Sequence, residues 1–398
     1  MFGWERKMTD AVARAKDYLF PAILLLIGVA VRISGFSFRS GDMYYYLEPW
    51  FETIRQGGLS SLSARVGNYN LLYQTIIALM TKIPVKAIYQ YKILSLIGDV
   101  YLSFSVARLC CVIREKPLFR PFFNTVFAVT FLLPTVVVNS AFWGQCDSLY
   151  AAFAVAALVY AYRNRGIPAF LLFGLALGFK LQAIFLLPFL LYLYFDRKRF
   201  SFLHFLLSAA CFWGTGLVCF AYGQNLLTPF LIYFDQTGQY KEMYMNFPSV
   251  WMLFGNNYAF HSVALGLTLA ALGVVLYLIL SRRLTLEKPE GWLAAACWSV
   301  WTCVLFLPAM HDRYAYLLDV LLIALAAVRP RYIKFAVAAA LTSLAAYAPF
   351  LNGSGYSLTV WHAAVYTAAY AWFTATWIRA SFRPETEPNG DRKKESIL

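Results

Sequence analysis

Apolar runs close to membrane-spanning length recur along the whole chain, and they exclude most folds at once. They cover Tyr18–Ile33, Phe122–Val138, Phe202–Phe220, Leu265–Leu280, Phe335–Leu351 and Trp361–Ile378. A helix needs about 20 apolar residues to cross a bilayer core. The runs are continuous rather than alternating, which excludes a β-barrel. Only 14% of the 398 residues are charged, against roughly 25% in soluble domains. The expected fold class is an all-α polytopic membrane protein with about 12 transmembrane helices in one domain, residues 1–382. The polar, Pro- and Gly-containing segment 383–398 reads as a disordered cytoplasmic tail. The first run lacks a small-residue cleavage site and follows a long basic flank, so it reads as a retained helix and not a signal peptide.

The formal net charge of +14 invites a nucleic-acid reading, which its distribution rejects. Lys and Arg gather in short tracts between apolar runs, at 163–165, 196–200, 281–283 and 329–334 and in the tail. That is the positive-inside pattern, so the excess charge is topological. No nucleic-acid partner is expected. The seven cysteines have no metal-ligand spacing, and several sit inside apolar runs as small hydrophobes. No tight acidic cluster is visible either. Neither a metal nor another cofactor is expected.

With the basic tracts cytoplasmic, the opposite face receives 37–67, 140–148, 223–257, 307–313 and 351–357. These segments hold most of the polar groups and many Tyr and Trp. Two regions strain a simple count. Segment 167–195 runs between two basic tracts and is too short for two full spans. Two short helices meeting at Gly178–Gln182 would satisfy it, with Lys180 and Gln182 facing a cavity. Region 68–113 reads as two crossings, yet that puts the basic flank Arg114–Arg120 on the wrong side. In the first outer loop, Leu47, Trp50, Phe51 and Ile54 fall at i, i+3, i+4 and i+7, with Glu48, Glu52 and Arg55 elsewhere. This predicts an amphipathic interfacial helix over Pro49–Gln56, stopped by Gly57–Gly58.

Four outer-face groups could carry chemistry. Asp42, in "SGDMYYYLEPW", is either the N-cap of a turn through Met43–Leu47 or a carboxylate among aromatics. Desolvation makes a carboxylate a better proton acceptor. Asp147, in "NSAFWGQCDSLY", can cap a helix over Ser148–Tyr162, but a cap does not require the preceding Trp143, Gly144 and Gln145. Lys180, in "GFKLQ", costs roughly 2.5–3.5 kcal/mol inside an apolar run, unless it snorkels or meets an anion. In "LPAMHDRYAY", Arg313 either pairs with Asp312 or holds a phosphate beside His311.

These stretches, with "KILSLIGDVYLSFSVARL" and "FLLFGLALGFKLQAIFLLPFLLYLYF", resemble integral-membrane glycosyltransferases of the GT-C superfamily. The likeness is nearest to bacterial relatives of the mannosyltransferases of GPI-anchor synthesis, and it covers most of residues 35–322. The resemblance implies a polyprenyl-phosphate-sugar donor, and a first outer loop bearing the catalytic acid and two juxtamembrane helices. Asp42 matches the catalytic position. Arg313, His311 and Lys180 would then neutralise the donor phosphate. Asp147, Gln145, Gln182, Trp143, Tyr44 and Tyr45 would shape the sugar and acceptor site. The implied enzyme is an inverting hexosyltransferase, mannose favoured, working as a monomer on a glycolipid or cell-surface glycan at the extracytoplasmic side of a bacterial plasma membrane. Two alternatives stand beside it. A transporter or flippase of lipid-linked sugars would use the broken hairpin but predicts paired halves, and no repeat is visible. A polysaccharide polymerase or ligase expects a late key loop, and 223–257 lacks arginine.

Overall fold

The computed structural model describes residues 2–197, 200–352 and 357–382; the rest of the tail expectation, 383–398, lies outside the described residues. Within them the chain is almost entirely helical, as its apolar runs require. The sole ladder among the described residues is a parallel pair, β1 (Tyr244–Met245) on β2 (Met310–His311).

Four helices are long and apolar enough to cross a membrane: Ala15–Gly35, Ala87–Arg114, Tyr258–Leu280 and Pro330–Leu351. A fifth is possible as a bent pair, Pro121–Leu132 with Pro134–Trp143, which turns by 52°. Pro134 breaks what the sequence presents as the single run Phe122–Val138, because proline cannot donate to the preceding turn. The run Phe202–Phe220 is also divided, into α10 (Phe202–Gly214) and the short α11 (Leu217–Ala221). Six further apolar helices are of 10–17 residues, so length and composition give four or five full spans among the described residues. Leu26, Leu267, Leu269 and Tyr277 point outward from their helices. Apolar exposure of this kind suits a lipid surround, and the chain is an integral membrane protein.

The N-terminal half positions the site. Helix α1 (Gly3–Gly35) delivers the chain to a first loop whose helix α2 spans Glu48–Gly57. Leu47, Phe51 and Ile54 are buried there while Glu52 and Arg55 face out, as the heptad-like spacing requires. Gly58 ends α2 at φ +59°.

Region 68–113 departs from its expectation of two crossings. Helix α3 (Leu71–Met80) has 10 residues, about 15 Å of rise, too little to span. Only α4 (Ala87–Arg114, 28 residues) crosses. One crossing brings Arg114–Arg120 back to the end of the bundle where α1 begins, which removes the conflict of parity. Two contacts show that the start of α4 lies beside the end of α1. The buried Lys92 ammonium donates to the carbonyls of Gly35 and Phe38. Arg32 of α1 pairs with Asp99 of α4 at 2.7 Å, and both are buried.

After the bent pair α5 (Pro121–Leu132) and α6 (Pro134–Val137) come α7 (Asp147–Tyr162) and α8 (Gly166–Phe179). Helix α7 packs between α4 and α8. The hairpin read for 167–195 is present. Helix α8 ends at Phe179, Lys180 is extended, and a 3-10 turn (Leu181–Leu186) leads into α9 (Leu187–Arg197). Lys180 therefore occupies the break itself. The C-terminal half adds α12 (Thr228–Gln239), α13 (His261–Leu280), α14 (Pro289–Phe306), α15 (Tyr316–Val328), α16 (Ile333–Asn352) and α17 (Val360–Ser381).

Candidate active site

The helix carrying Asp42 starts at Gly41, not at Asp42. Ser40 does the capping: its Oγ accepts from the Met43 amide at 3.2 Å and donates to the Trp143 carbonyl at 2.8 Å. Asp42 makes no side-chain cap bond, so the cap alternative fails and its carboxylate is free for other work. The next turn, Met43–Leu47, is a π-helix. Such turns recur at functional sites because the extra residue re-aims side chains. Here the effect is to split the three tyrosines. Tyr46 lines the same cavity as Asp42, while Tyr44 and Tyr45 line a separate, open groove of about 960 Å³ beside Glu48, Glu52 and Lys82. Tyr44 and Tyr45, expected together with Asp42, are thus on the other side of their helix.

Opposite Asp42 stands the turn after α6. Residues Val138–Trp143 form a second π-helix, closed by Gly144 at φ +75°. A Cβ on Gly144 would lie 2.5 Å from the Met43 methyl, which would have to swing aside, and a side chain at this φ would strain the backbone. This accounts for the glycine in "WGQ". The turn aims two donors at Asp42 Oδ2: Trp143 Nε1 at 3.0 Å and Gln145 Nε2 at 2.7 Å. Arg313 Nη1 donates to the same oxygen at 2.6 Å. Among the described residues no donor reaches Oδ1. Trp143 is buried and lies under the Arg313 guanidinium at 4.7 Å, so it positions these two groups and offers no open face for a sugar. Gln145 in turn accepts from Tyr69 Oη at 2.6 Å.

Asp147 is the first residue of α7 and makes no cap. Its Oδ2 accepts from Asn139 Nδ2 at 2.7 Å, and its Oδ1 is paired with Lys180. Both ions of that pair are buried. Lys180, expected to meet a phosphate, is already matched by a carboxylate, and snorkelling is excluded. Arg313 is shared among three carboxylates: Asp42 is nearest at 2.6 Å, with Asp147 at 3.8 Å and Asp312 at 3.9 Å. Its Nε has no hydrogen-bond partner among the described residues.

His311 lines both cavities beside Arg313. Burial, then the neighbouring Arg313 and Lys180 charges, push it down to about 4. That favours the neutral ring at pH 7, which can hydrogen-bond to a phosphate. Its ring packs on Tyr240 and Tyr314 at 4.9 and 5.1 Å. Burial pushes the Asp312 carboxyl up to about 7, against the Arg313 charge that lowers it.

Two cavities meet at this cluster. One, of about 360 Å³, is lined by Asp42, Tyr46, Trp50, Gln145, Asp312 and Phe350. The other, of about 90 Å³, is lined by Lys180, Gln182, Asn70, Tyr233 and Gln236. Asn68, Tyr69, Gln239, Tyr240, His311 and Arg313 line both. The structure thus gathers Asp42, Trp143, Gln145, Asp147, Lys180, Gln182, His311 and Arg313 in one region and leaves out Tyr44 and Tyr45. It adds Ser40, Tyr46, Tyr69, Asn139 and Tyr240, which carry no signal of their own in a chain rich in such residues. Among the described residues no group of three or more His, Cys, Asp or Glu could hold a metal ion.

Residues 66–196 match the family model described as alpha-(1->6)-mannopyranosyltransferase, N-terminal domain. The matched segment contains α3 to α9, with Tyr69, Gln145, Asp147, Lys180 and Gln182. The GT-C mannosyltransferase resemblance read from the sequence is borne out over these residues, and the match supports a glycosyltransferase activity. No curated protein matches the chain.

Proposed function

We propose that the protein is an inverting mannosyltransferase that uses a polyprenyl-phosphate-linked donor at the extracytoplasmic membrane face, with Asp42 as general base. The observation that carries this is the unequal treatment of the two Asp42 oxygens. Oδ2 is held by Trp143, Gln145 and Arg313, whereas Oδ1 belongs to a carboxylate that lines the 360 Å³ cavity. A base must be fixed in place and still have a lone pair directed at its substrate.

The chemistry then balances in one displacement. Asp42 Oδ1 takes the proton of the acceptor hydroxyl as that oxygen attacks the anomeric carbon. The bond from the anomeric carbon to the donor phosphate oxygen breaks, and the electron pair leaves with the lipid phosphate. A phosphate is a good leaving group, so no strong general acid is required. Asp147 is tied to Lys180 and Asn139 and is not free to act as a second carboxylate. A single displacement inverts configuration, so an α-linked mannoside of the kind named by the matched family requires a β-linked donor. That family name also favours a primary 6-hydroxyl on the acceptor. Asn68, Gln182, Gln236 and Gln239 supply hydrogen bonds for sugar hydroxyls, and Tyr46, Tyr69 and Tyr240 supply ring faces.

The short helices count as traversals in this reading. Together α1, α4, the bent α5–α6 pair, α7 to α10 and α13 to α17 make about twelve, with both termini at the basic, cytoplasmic end. The acceptor is a glycolipid or envelope glycan, and the enzyme works as a monomer without a metal. In membranes supplied with radiolabelled polyprenyl-phosphate mannose, Asp42→Asn is expected to lower transfer by about 10²- to 10⁴-fold. Undiminished transfer by that variant would end the base assignment.

A further inference from the structure

The charges at the site are already balanced in the structure. Lys180 is matched by Asp147 and Arg313 by Asp42. His311, the remaining nitrogen base on both cavities, is neutral at pH 7 because burial and the two cations push it down to about 4. An incoming lipid phosphate brings negative charge into a largely enclosed region and finds no unmatched cation. Leaving such a charge uncompensated is costly away from bulk water. One of the two pairs must therefore give up its cation.

Geometry selects which. The Asp147–Lys180 pair is buried, and Asn139 holds the second Asp147 oxygen. The Asp42–Arg313 pair faces the cavities, with side chains 23% and 15% exposed. Arg313 lines both cavities, and its Nε has no hydrogen-bond partner among the described residues. Asp42 has two other donors, Trp143 and Gln145, to hold it if the arginine leaves.

We propose that Arg313 exchanges partners in the catalytic cycle, leaving Asp42 for the phosphate of the lipid-linked donor, so that donor arrival unlatches the base. This rests on the donor proposed above. The exchange ties release of the Asp42 carboxylate from Arg313 to the arrival of the leaving group. Arg313 thus acts twice, as a latch and then as a phosphate ligand.

The exchange makes Asp42 a competitor of the phosphate, which gives a test that does not depend on turnover. Polyprenyl monophosphate, the product, is titrated into purified protein in nanodiscs. Asp42→Asn removes the competing charge and is expected to bind it about tenfold more tightly than wild type, within the usual range of coupling between sites. Asp42→Ala should show the same gain. Arg313→Gln should bind about tenfold more weakly, and Asp42→Asn should gain nothing in that background. Polyprenol without phosphate should not distinguish wild type from Asp42→Asn. Two outcomes overturn the exchange alone: affinity unchanged or reduced in both Asp42 variants while their thermal unfolding matches wild type, or a gain that persists in Arg313→Gln. A wild type that bound no polyprenyl monophosphate would overturn the donor reading and the exchange with it.

Discussion

Two Arg–Asp pairs join distant parts of this chain at nearly equal distance, and they do opposite things. Arg32–Asp99 spans 2.7 Å and Arg313–Asp42 spans 2.6 Å. Around the first, all three guanidinium nitrogens are committed. Arg32 also donates to the carbonyls of Gly28 and Phe131 and stacks on the Phe131 ring at 3.7 Å, while Ser140 donates to Asp99 at 2.6 Å. Around the second, the arginine Nε has no hydrogen-bond partner among the described residues, and both residues line a cavity. A buried pair whose arginine has spent every nitrogen fixes structure. A pair with spare capacity beside open space is available for chemistry.

The contrast can be broken most sharply at Asp99. Asp99→Leu leaves the Arg32 guanidinium buried and unmatched, which costs about 3–5 kcal/mol. Thermal unfolding in detergent should fall steeply, whereas Arg32→Met with Asp99→Leu should recover most of the loss. Equivalent changes at Asp42 and Arg313 should spare stability and remove activity. A next, smaller effect sharpens the comparison through pH. Asp312 stands beside the second pair, and burial pushes its carboxyl up to about 7 from an ordinary value near 4. The folded state therefore holds a proton that the unfolded state has released. That contribution is complete below about 4 and is lost as pH rises towards about 7. Asp312→Asn should flatten this part of the stability profile, and an unchanged slope would exclude Asp312 as its source. The smallest effect is expected at His311. A neutral ring that only donates a hydrogen bond can be replaced, so His311→Gln should keep transfer within about tenfold of wild type. A fall as deep as that of Asp42→Asn would restore the imidazolium as a required charge.

What the sequence conveyed was local periodicity and sidedness. Leu47, Trp50, Phe51 and Ile54 announce α2 by spacing alone, and the basic tracts force the hairpin that breaks at Lys180. Sidedness also brought Asp42, Asp147, Lys180 and Arg313 to one end before any contact was known. Partnership was not readable, because the partners are far apart in the chain. Arg313 and Asp42 are separated by 271 residues, and Arg32 and Asp99 by 67. Lys92 and Asp99 fasten α4 to the end of α1 and so hold the first loop, which nothing in their spacing announces. The fate of the tyrosines was hidden for another reason. An α-helical register keeps Asp42 and Tyr46 on one face, but only the π-turn decides how Tyr44 and Tyr45 fall.

The Arg32–Asp99 pair also sets a timetable. Arg32 is made first, and the carboxylate that matches it leaves the ribosome 67 residues later, about 3–13 s at ordinary elongation rates. For that interval the Arg32 guanidinium, in the last turn of the first helix, lacks the carboxylate that later matches it. Its final seat in the bilayer is therefore fixed by the insertion of α4. The seating of the amino-terminal helix is in this way coupled to the arrival of α4.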